Sequence, residues 1–380
     1  MRIAQVAPLY ESVPPTLYGG TERVVSYLTE ELVALGHEVT LFASGDSVTS
    51  ARLVPGCPRA LWRDPACKET LPHHVRLLEL VFRDTSRFDV VHFHTDYVQF
   101  PLLRRAPCSS VTTCHGALHR PDLGPLLGEY REVPLVSISD AQRRPLPDAN
   151  WQATITHGLP RDLHTFVERP GRDLVFLGRI SPEKRVDRAV AIAQLTGAKL
   201  KIAAKVYAEE EHYFRREIEP LLARSRRFVD FVGEVGGRDK DAFLGNARAL
   251  LFPIDWAEPF GLVMIEALAC GTPVIAWRNG SVPEVIEHGV TGFVVDSLDE
   301  AAEAVAKIDT IDRRACRAAF EARFDAARMA HRYVDVYRRL VDSARAPEET
   351  VERSGPRGLV PMIGPERRAA SFRIPRAAGA

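Results

Sequence analysis

One regularity constrains this chain more than any other. Short runs rich in Val, Ile, Leu and Ala alternate with segments of helical period, in two successive series. In the first series, residues 2–8, 38–43, 89–93, 110–114, 135–138 and 153–156 read as buried strands. Between the first two, Val24, Val25, Leu28, Leu32 and Leu35 recur at helical spacing and stop at Gly36. Residues 73–87 repeat that pattern. Strands that alternate with helices pair in parallel, because each helix carries the chain back across one face of the sheet. The stretch 157–172 has no period and holds two Pro and two Gly. A second series follows, with strands at 174–177, 199–203, 228–232, 249–253, 273–276 and 292–295. Its helices are expected at 182–195, 209–224, 239–246 and 262–270.

The expectation is an α/β protein of two facing, Rossmann-like, doubly wound domains, residues 1–157 and 158–325. A length of 380 residues suits two domains. The last strongly periodic helix, 326–340, can lie against either domain. Beyond Ala344 periodicity is lost, so 345–380 reads as a disordered tail. Ligands of such sheets bind beyond the carboxyl ends of the strands, so two facing sheets predict a cleft between domains.

Hydrophobic content of 46% and charged content of 26% are those of an ordinary globular protein. A net charge of zero gives no electrostatic ground for a nucleic-acid partner. No apolar run approaches the roughly 18 residues of a membrane span. The N-terminus opens directly into a strand, and the six cysteines form no C-x-x-C pair. A cytoplasmic protein with reduced thiols is expected. Basic residues along 209–227 leave peripheral contact with the inner membrane face open, although a solvated face reads the same.

Residues Trp256 to Thr272 read W-A-E-P-F-G-L-V-M-I-E-A-L-A-C-G-T, with Glu258 and Glu266 eight positions apart. A loop carrying one carboxylate feeds a helix carrying the other, and a helix N-terminus favours an anion. Were all eight steps helical, the carboxylates would stand about 12 Å apart. A glycosidase pair is closer, roughly 5–9.5 Å. The spacing suits the two ends of one long ligand. Gly178-Arg179-Ile180-Ser181-Pro182-Glu183-Lys184 follows a strand; Ser181 can cap a helix and Pro182 fits its first position. Arg179 and Lys184 at such a terminus make a diphosphate site, although an ordinary helix start with solvated charges reads alike. Gly19 and Gly20 open the first helix and let backbone approach a ligand closely, as a plain turn also would. His115 follows a strand end, where site residues gather; a satisfied structural histidine is the alternative. His92 and His94 share a strand face, but no carboxylate or cysteine spacing beside them supports a metal site. Neither a metal nor a cofactor is expected.

Together these segments resemble the retaining glycosyltransferases of family 4, whose GT-B architecture is two facing Rossmann-like domains. The resemblance runs over residues 1–340. Its E-x7-E motif stands as Glu258 to Glu266, and its F-x-G-R-x-x-x-x-K pattern as Phe176 to Lys184. Phe231-Val232-Gly233, Gly19-Gly20-Thr21-Glu22 and Thr113-Cys114-His115-Gly116 complete the set. Where many members carry Asn-Gly-Val-Asp, this chain has His157-Gly158-Leu159-Pro160. The resemblance implies that Arg179 and Lys184 bind the donor diphosphate, that Glu266 holds the ribose, and that Glu258 holds the transferred sugar. Backbone N–H groups of Phe260, Gly261 and Leu262 would assist, Glu234 and Val235 would lie by the base, and Gly19 and Gly20 would approach the phosphates. His115 would face the sugar, and the last helix, about 326–342, would cross back to the first domain. His115, Glu258, Arg179 and Lys184 are the implied catalytic group. The implied reaction is metal-independent hexosyl transfer from a nucleoside diphosphate sugar, UDP-sugar preferred, with retention. The acceptor class stays open: saccharide, lipid-linked or small molecule. A sugar-nucleotide 2-epimerase and a non-catalytic sugar-nucleotide-binding protein are the alternatives.

Overall fold

The computed structural model describes residues 1–17, 19–105 and 108–345; the expectation for the tail lies outside the described residues. The first sheet contains β1 (Arg2–Val6), β2 (Glu38–Ser44), β3 (Arg52–Cys57), β4 (Val90–Phe93), β5 (Ser110–Thr113), β6 (Leu135–Ser137) and β7 (Trp151–Thr154). Its order is β3-β2-β1-β4-β5-β6-β7, with every pair parallel. The second contains β8 (Leu174–Arg179), β9 (Leu200–Lys205), β10 (Val229–Gly233), β11 (Ala249–Phe252), β12 (Val274–Trp277) and β13 (Gly292–Val295). Its order is β10-β9-β8-β11-β12-β13, again all parallel. Strands β4, β11 and β12 are buried at every residue, as strands covered by helices on both faces must be. The strand alternation therefore does produce two doubly wound sheets. Strand order reverses between β1 and β4 and between β8 and β11, which places a crevice at each reversal.

Several local expectations need correction. No strand was expected between residues 43 and 73, yet β3 lies there; Pro55 inside it is tolerated because β3 is an edge strand. The helix expected from Pro182 begins later. Pro182–Lys184 is a 3₁₀ turn, Arg185 takes φ 52°, and the α-helix runs Val186–Thr196. The Ser181 side chain makes no capping bond. Arg185 offsets its left-handed backbone by pairing with Asp187 and Asp255, each at 2.8 Å. The helix expected over 209–224 passes through a π turn at Phe214–Ile218. Pro220 accounts for it, having no N–H and crowding the carbonyl four residues back. Helices Leu298–Lys307 and Arg313–Arg323 were not foreseen.

The last helix, Ala326–Arg345, lies on the first sheet. Tyr337 bonds Gln5 and His92, Tyr333 bonds Thr113, and Arg332 donates to the Thr154 carbonyl. Just before it, the chain's two passages between the sheets pair with each other. Leu159 N donates to Phe324 O, and Ala326 N to Leu159 O, both at 2.9 Å. A Cβ at Gly158 would stand 2.6 Å from Asp325 O, so only glycine fits this crossing. Among the described residues, no helix is long and apolar enough to cross a membrane.

Candidate active site

A cavity of about 860 Å³ opens where the two strand reversals meet, lined by residues that follow β1, β4, β8 and β11. Every residue to which the resemblance assigned a part in the site lines this cavity.

The Glu258 loop is built by close backbone contacts. Gly261 precedes helix Leu262–Ala269 with φ 80°, and a Cβ there would meet Met264 Cε at 2.8 Å. The loop rests on Asn279–Ser281. Ser281 N donates to Glu258 O at 3.0 Å and Ser281 Oγ to Phe260 O at 2.8 Å. A Cβ at Gly280, φ 55°, would lie 2.2 Å from Glu258 O. The Glu258 carboxylate pairs with Lys184 and accepts from Trp256 Nε1 at 2.9 Å. The Lys184 ammonium also sits 4.9 Å from the centre of the Trp256 ring. Glu266 is buried beside Lys240, on helix Gly237–Gly245. Burial pushes the Glu266 carboxyl up, but Lys240 and His164 outweigh it and hold it below its ordinary value. Arg179 faces Glu183 and Glu210. Both cations assigned to the diphosphate thus have carboxylate neighbours.

On the first-sheet side, Gly19 precedes helix Gly20–Ala34. A Cβ at Gly20 would stand 3.6 Å from Leu262 Cδ1, so the two helix starts approach across the cavity. Glu22 in that first turn is buried, and desolvation raises its carboxyl to about 7 against backbone N–H bonds from Glu22 and Glu11.

A row of imidazoles, buried at His92, His94 and His157 and half-buried at His115, crosses the floor. His92 and His94 have centroids 4.0 Å apart, His94 and His115 5.1 Å, and His115 stacks on His157 at 5.3 Å. His157, at the junction where the family pattern differs, meets Phe260 edge-on at 5.0 Å. Desolvation depresses all four, His115 to about 3, so all are neutral. Donor counting assigns their tautomers. Gln5 Nε2 donates to Tyr337 Oη at 3.0 Å, so Gln5 Oε1 accepts from His94 Nε2 at 2.8 Å. His94 Nδ1 then accepts from His115 Nε2 at 2.8 Å. His115 Nδ1 is left without a proton and, among the described residues, without a hydrogen-bond partner. The other arm runs from Tyr337 Oη to His92 Nδ1 and from His92 Nε2 to Thr113 Oγ1, both 2.7 Å. His92 and His94 therefore spend their nitrogens on hydrogen bonds.

Among the described residues, His164, Asp241 and Cys270 bring potential metal-ligand atoms within 4.8 Å of one another. Asp241 Oδ1 already accepts from Thr165 N at 2.9 Å, His164 Nδ1 at 3.2 Å and Cys270 Sγ at 3.7 Å. Burial pushes the Cys270 thiol up, away from the thiolate a metal needs. The group reads as a hydrogen-bonded brace behind Glu266.

Three contributors escaped sequence reading. Lys240 carries no signal tying it to Glu266. Gly280 lies in an Asn-Gly pair, a turn signal whose partner loop could not be named. Gln5 stands as a polar residue inside an apolar strand, the signal that could have found it.

The model for "Glycosyl transferases group 1" matches residues 167–319, and that for "Glycosyltransferase Family 4" matches 18–192. A phosphatidyl-myo-inositol mannosyltransferase of Mycolicibacterium smegmatis is 27% identical over 88% of this chain and 90% of its own. A glycogen synthase of Mycobacterium tuberculosis is 27% identical over 92% and 97%. The solved structure of AviGT4, a glycosyltransferase involved in avilamycin A biosynthesis, is 27% identical with a TM-score of 0.68, covering 90% of this chain and 98% of that one. Anabaena HepE, solved with UDP and glucose, shares the fold at 17% identity and TM-score 0.70 over 89% and 100% of the two chains. The two sheets, the cavity at their strand reversals and these matches lead to one conclusion: the chain belongs to glycosyltransferase family 4 and is a glycosyltransferase of GT-B architecture.

Proposed function

We propose that the protein moves a hexosyl group from a nucleoside diphosphate sugar to an acceptor hydroxyl with retention at the anomeric carbon. The observation that carries this is the convergence of Arg179, Lys184, Glu258 and Glu266 with the Gly19–Gly20 helix start on one cavity. Residues 158–325 would form the donor domain; residues 1–157, with the last helix, would form the acceptor domain. Glu266, kept ionised by Lys240, would accept from the ribose hydroxyls. Glu234 and Val235 would flank the base. Arg179 and Lys184 would turn from their carboxylate neighbours to the diphosphate, whose negative charge grows as the glycosidic bond breaks. Fixed cations and helix N–H groups aimed at that charge are often the largest catalytic contribution. Lys184 leaving Glu258 frees that carboxylate for sugar hydroxyls, so donor binding itself would ready Glu258. His115 Nδ1, an unprotonated acceptor, would take a sugar hydroxyl proton in a hydrogen bond. The oxocarbenium would be attacked from the face the phosphate leaves, and the departing phosphate oxygen would take the acceptor's proton. No protein base is then required.

Uridine is the first base to test, because a protein of this fold was solved with UDP. Calorimetric titration with UDP, GDP and ADP, beside Arg179→Ala and Glu266→Gln, checks the reading. One nucleotide series should bind, and both substitutions should weaken it about tenfold or more. Binding to none of them, or indifference to both substitutions, would remove the cavity assignment.

A further inference from the structure

The proposed donor contacts leave one wall of the cavity unused. Tyr10, Trp62 and Tyr97 line it on the first-sheet side. The Tyr10 and Trp62 rings stack at 5.0 Å and 30°. Their mounting is rigid. Trp62 N donates to Tyr10 O at 3.1 Å, and Leu61 N to Leu9 O at 2.9 Å. His74 Nε2 accepts from Leu9 N at 3.1 Å, and its ring sits 4.9 Å from that of Tyr10. Arg63, beside Trp62, pairs with buried Glu11 at 2.7 Å. Despite this scaffolding Trp62 is 57% exposed and Tyr97 45%. Large rings held still with open faces offer contact area at little cost in rotamer entropy.

Asp96 stands next to Tyr97 and lines the same wall. Its φ of 54° is unusual for a residue other than glycine. Such strained backbone gathers at functional positions. Burial raises the Tyr10 hydroxyl most, and the Asp96 carboxylate adds to it. An exposed carboxylate on this wall accepts hydroxyl donors and disfavours an anion set directly against it. An acyl chain would need an enclosed apolar groove rather than an open platform beside a carboxylate.

We propose that this wall is the acceptor site and that it takes a neutral pyranose, one ring face on the Trp62–Tyr10 platform and one hydroxyl donating to Asp96. The proposal rests on the transferase reading and narrows its acceptor to a saccharide.

Saturation-transfer NMR on the full chain tests it, with and without the nucleotide selected by calorimetry. The probes are the methyl pyranosides of glucose, galactose, mannose and N-acetylglucosamine, with myo-inositol 1-phosphate and octanoate as the anionic and acyl alternatives. At least one pyranoside should show transfer to its ring protons. Its affinity should fall about tenfold in Trp62→Ala, recover partly in Trp62→Phe, and fall in Asp96→Asn. Nucleotide affinity should stay within about twofold in all three variants, which also reports that they fold. The proposal is overturned if no pyranoside shows transfer, if the substitutions leave transfer unchanged, or if inositol phosphate or octanoate takes the wall instead. Absence of nucleotide binding by the unmodified chain would sink the transferase reading separately, since pyranoside transfer is read without nucleotide too.

Discussion

Glu22 shows how one residue can set the pH response of a site. Its carboxyl is raised to about 7, chiefly by desolvation, and it lines the cavity next to Gly20. An ionised Glu22 would repel a diphosphate laid against Gly19–Gly20, so donor affinity should be highest below pH 7 and fall as pH rises through it. Glu22→Gln should flatten that profile in calorimetric titrations across the neutral range. Stability follows the same sign. The folded acid keeps its proton to about 7, the unfolded one only to about 4.5, so the stabilisation is complete below 4.5 and lost as pH climbs through 7. Above that, Glu22→Gln should gain stability on the order of 3 kcal/mol in urea unfolding. Lys240 and Glu266 make a second case. Removing one partner of a buried pair leaves an uncompensated charge and costs about 3–5 kcal/mol, whereas removing both is far milder. Lys240→Met should therefore be strongly destabilising, and Lys240→Met with Glu266→Gln should recover most of the loss. A double variant no better than the single would mean the pair is not coupled.

Among elements, the Asn279–Ser281 turn governs the Glu258 loop without touching ligand. Alanine at Gly280 would need a left-handed backbone and would press on Glu258 O. Gly280→Ala should leave circular dichroism unchanged yet lower the turnover of the sugar nucleotide by about 10²-fold, the cost of a misplacement near 1 Å. Wild-type turnover in that variant would show that the loop is not held by the turn. What was legible beforehand follows from period. Buried strands and amphipathic helices write their pattern locally, and twelve of the thirteen strands in the two parallel sheets came from that alternation. β3 did not show because an edge strand containing Pro55 and Gly56 need not look apolar. The 3₁₀ turn at Pro182 and the π turn before Pro220 did not show because side-chain pairing and one proline alter a helix without changing its period. At the site, glycine-rich turns and the two glutamates were readable as motifs. The pairings of Lys240 with Glu266, Gly280 with Glu258, and Gln5 with His94 were not, since tertiary placement alone joins them.

At the scale of the whole molecule, the imidazole row links the last helix, the first sheet and the second sheet's Glu258 loop. It runs from Tyr337 through His92, His94, His115 and His157 to Phe260. All four rings are neutral in the fold because desolvation depresses them. The unfolded chain protonates them below about 6.5, so it binds more protons than the folded one and stability must fall as pH falls. Each ring contributes ~1.4 kcal/mol per pH unit below that point. His37, His74 and His164 are depressed too and add in the same direction, while the raised carboxyls of Glu22, Glu31 and Asp96 subtract. The histidines outnumber these carboxyls, so unfolding between about pH 6 and 5 should take up protons on balance. Urea midpoints measured across that interval give the slope. His115→Asn, which removes one titrating ring, should lower it by ~1.4 kcal/mol per pH unit. A flat stability profile over the same interval would mean the row is charged in the folded protein, and with it the assignment of His115 Nδ1 as a hydrogen-bond acceptor for the sugar would fall.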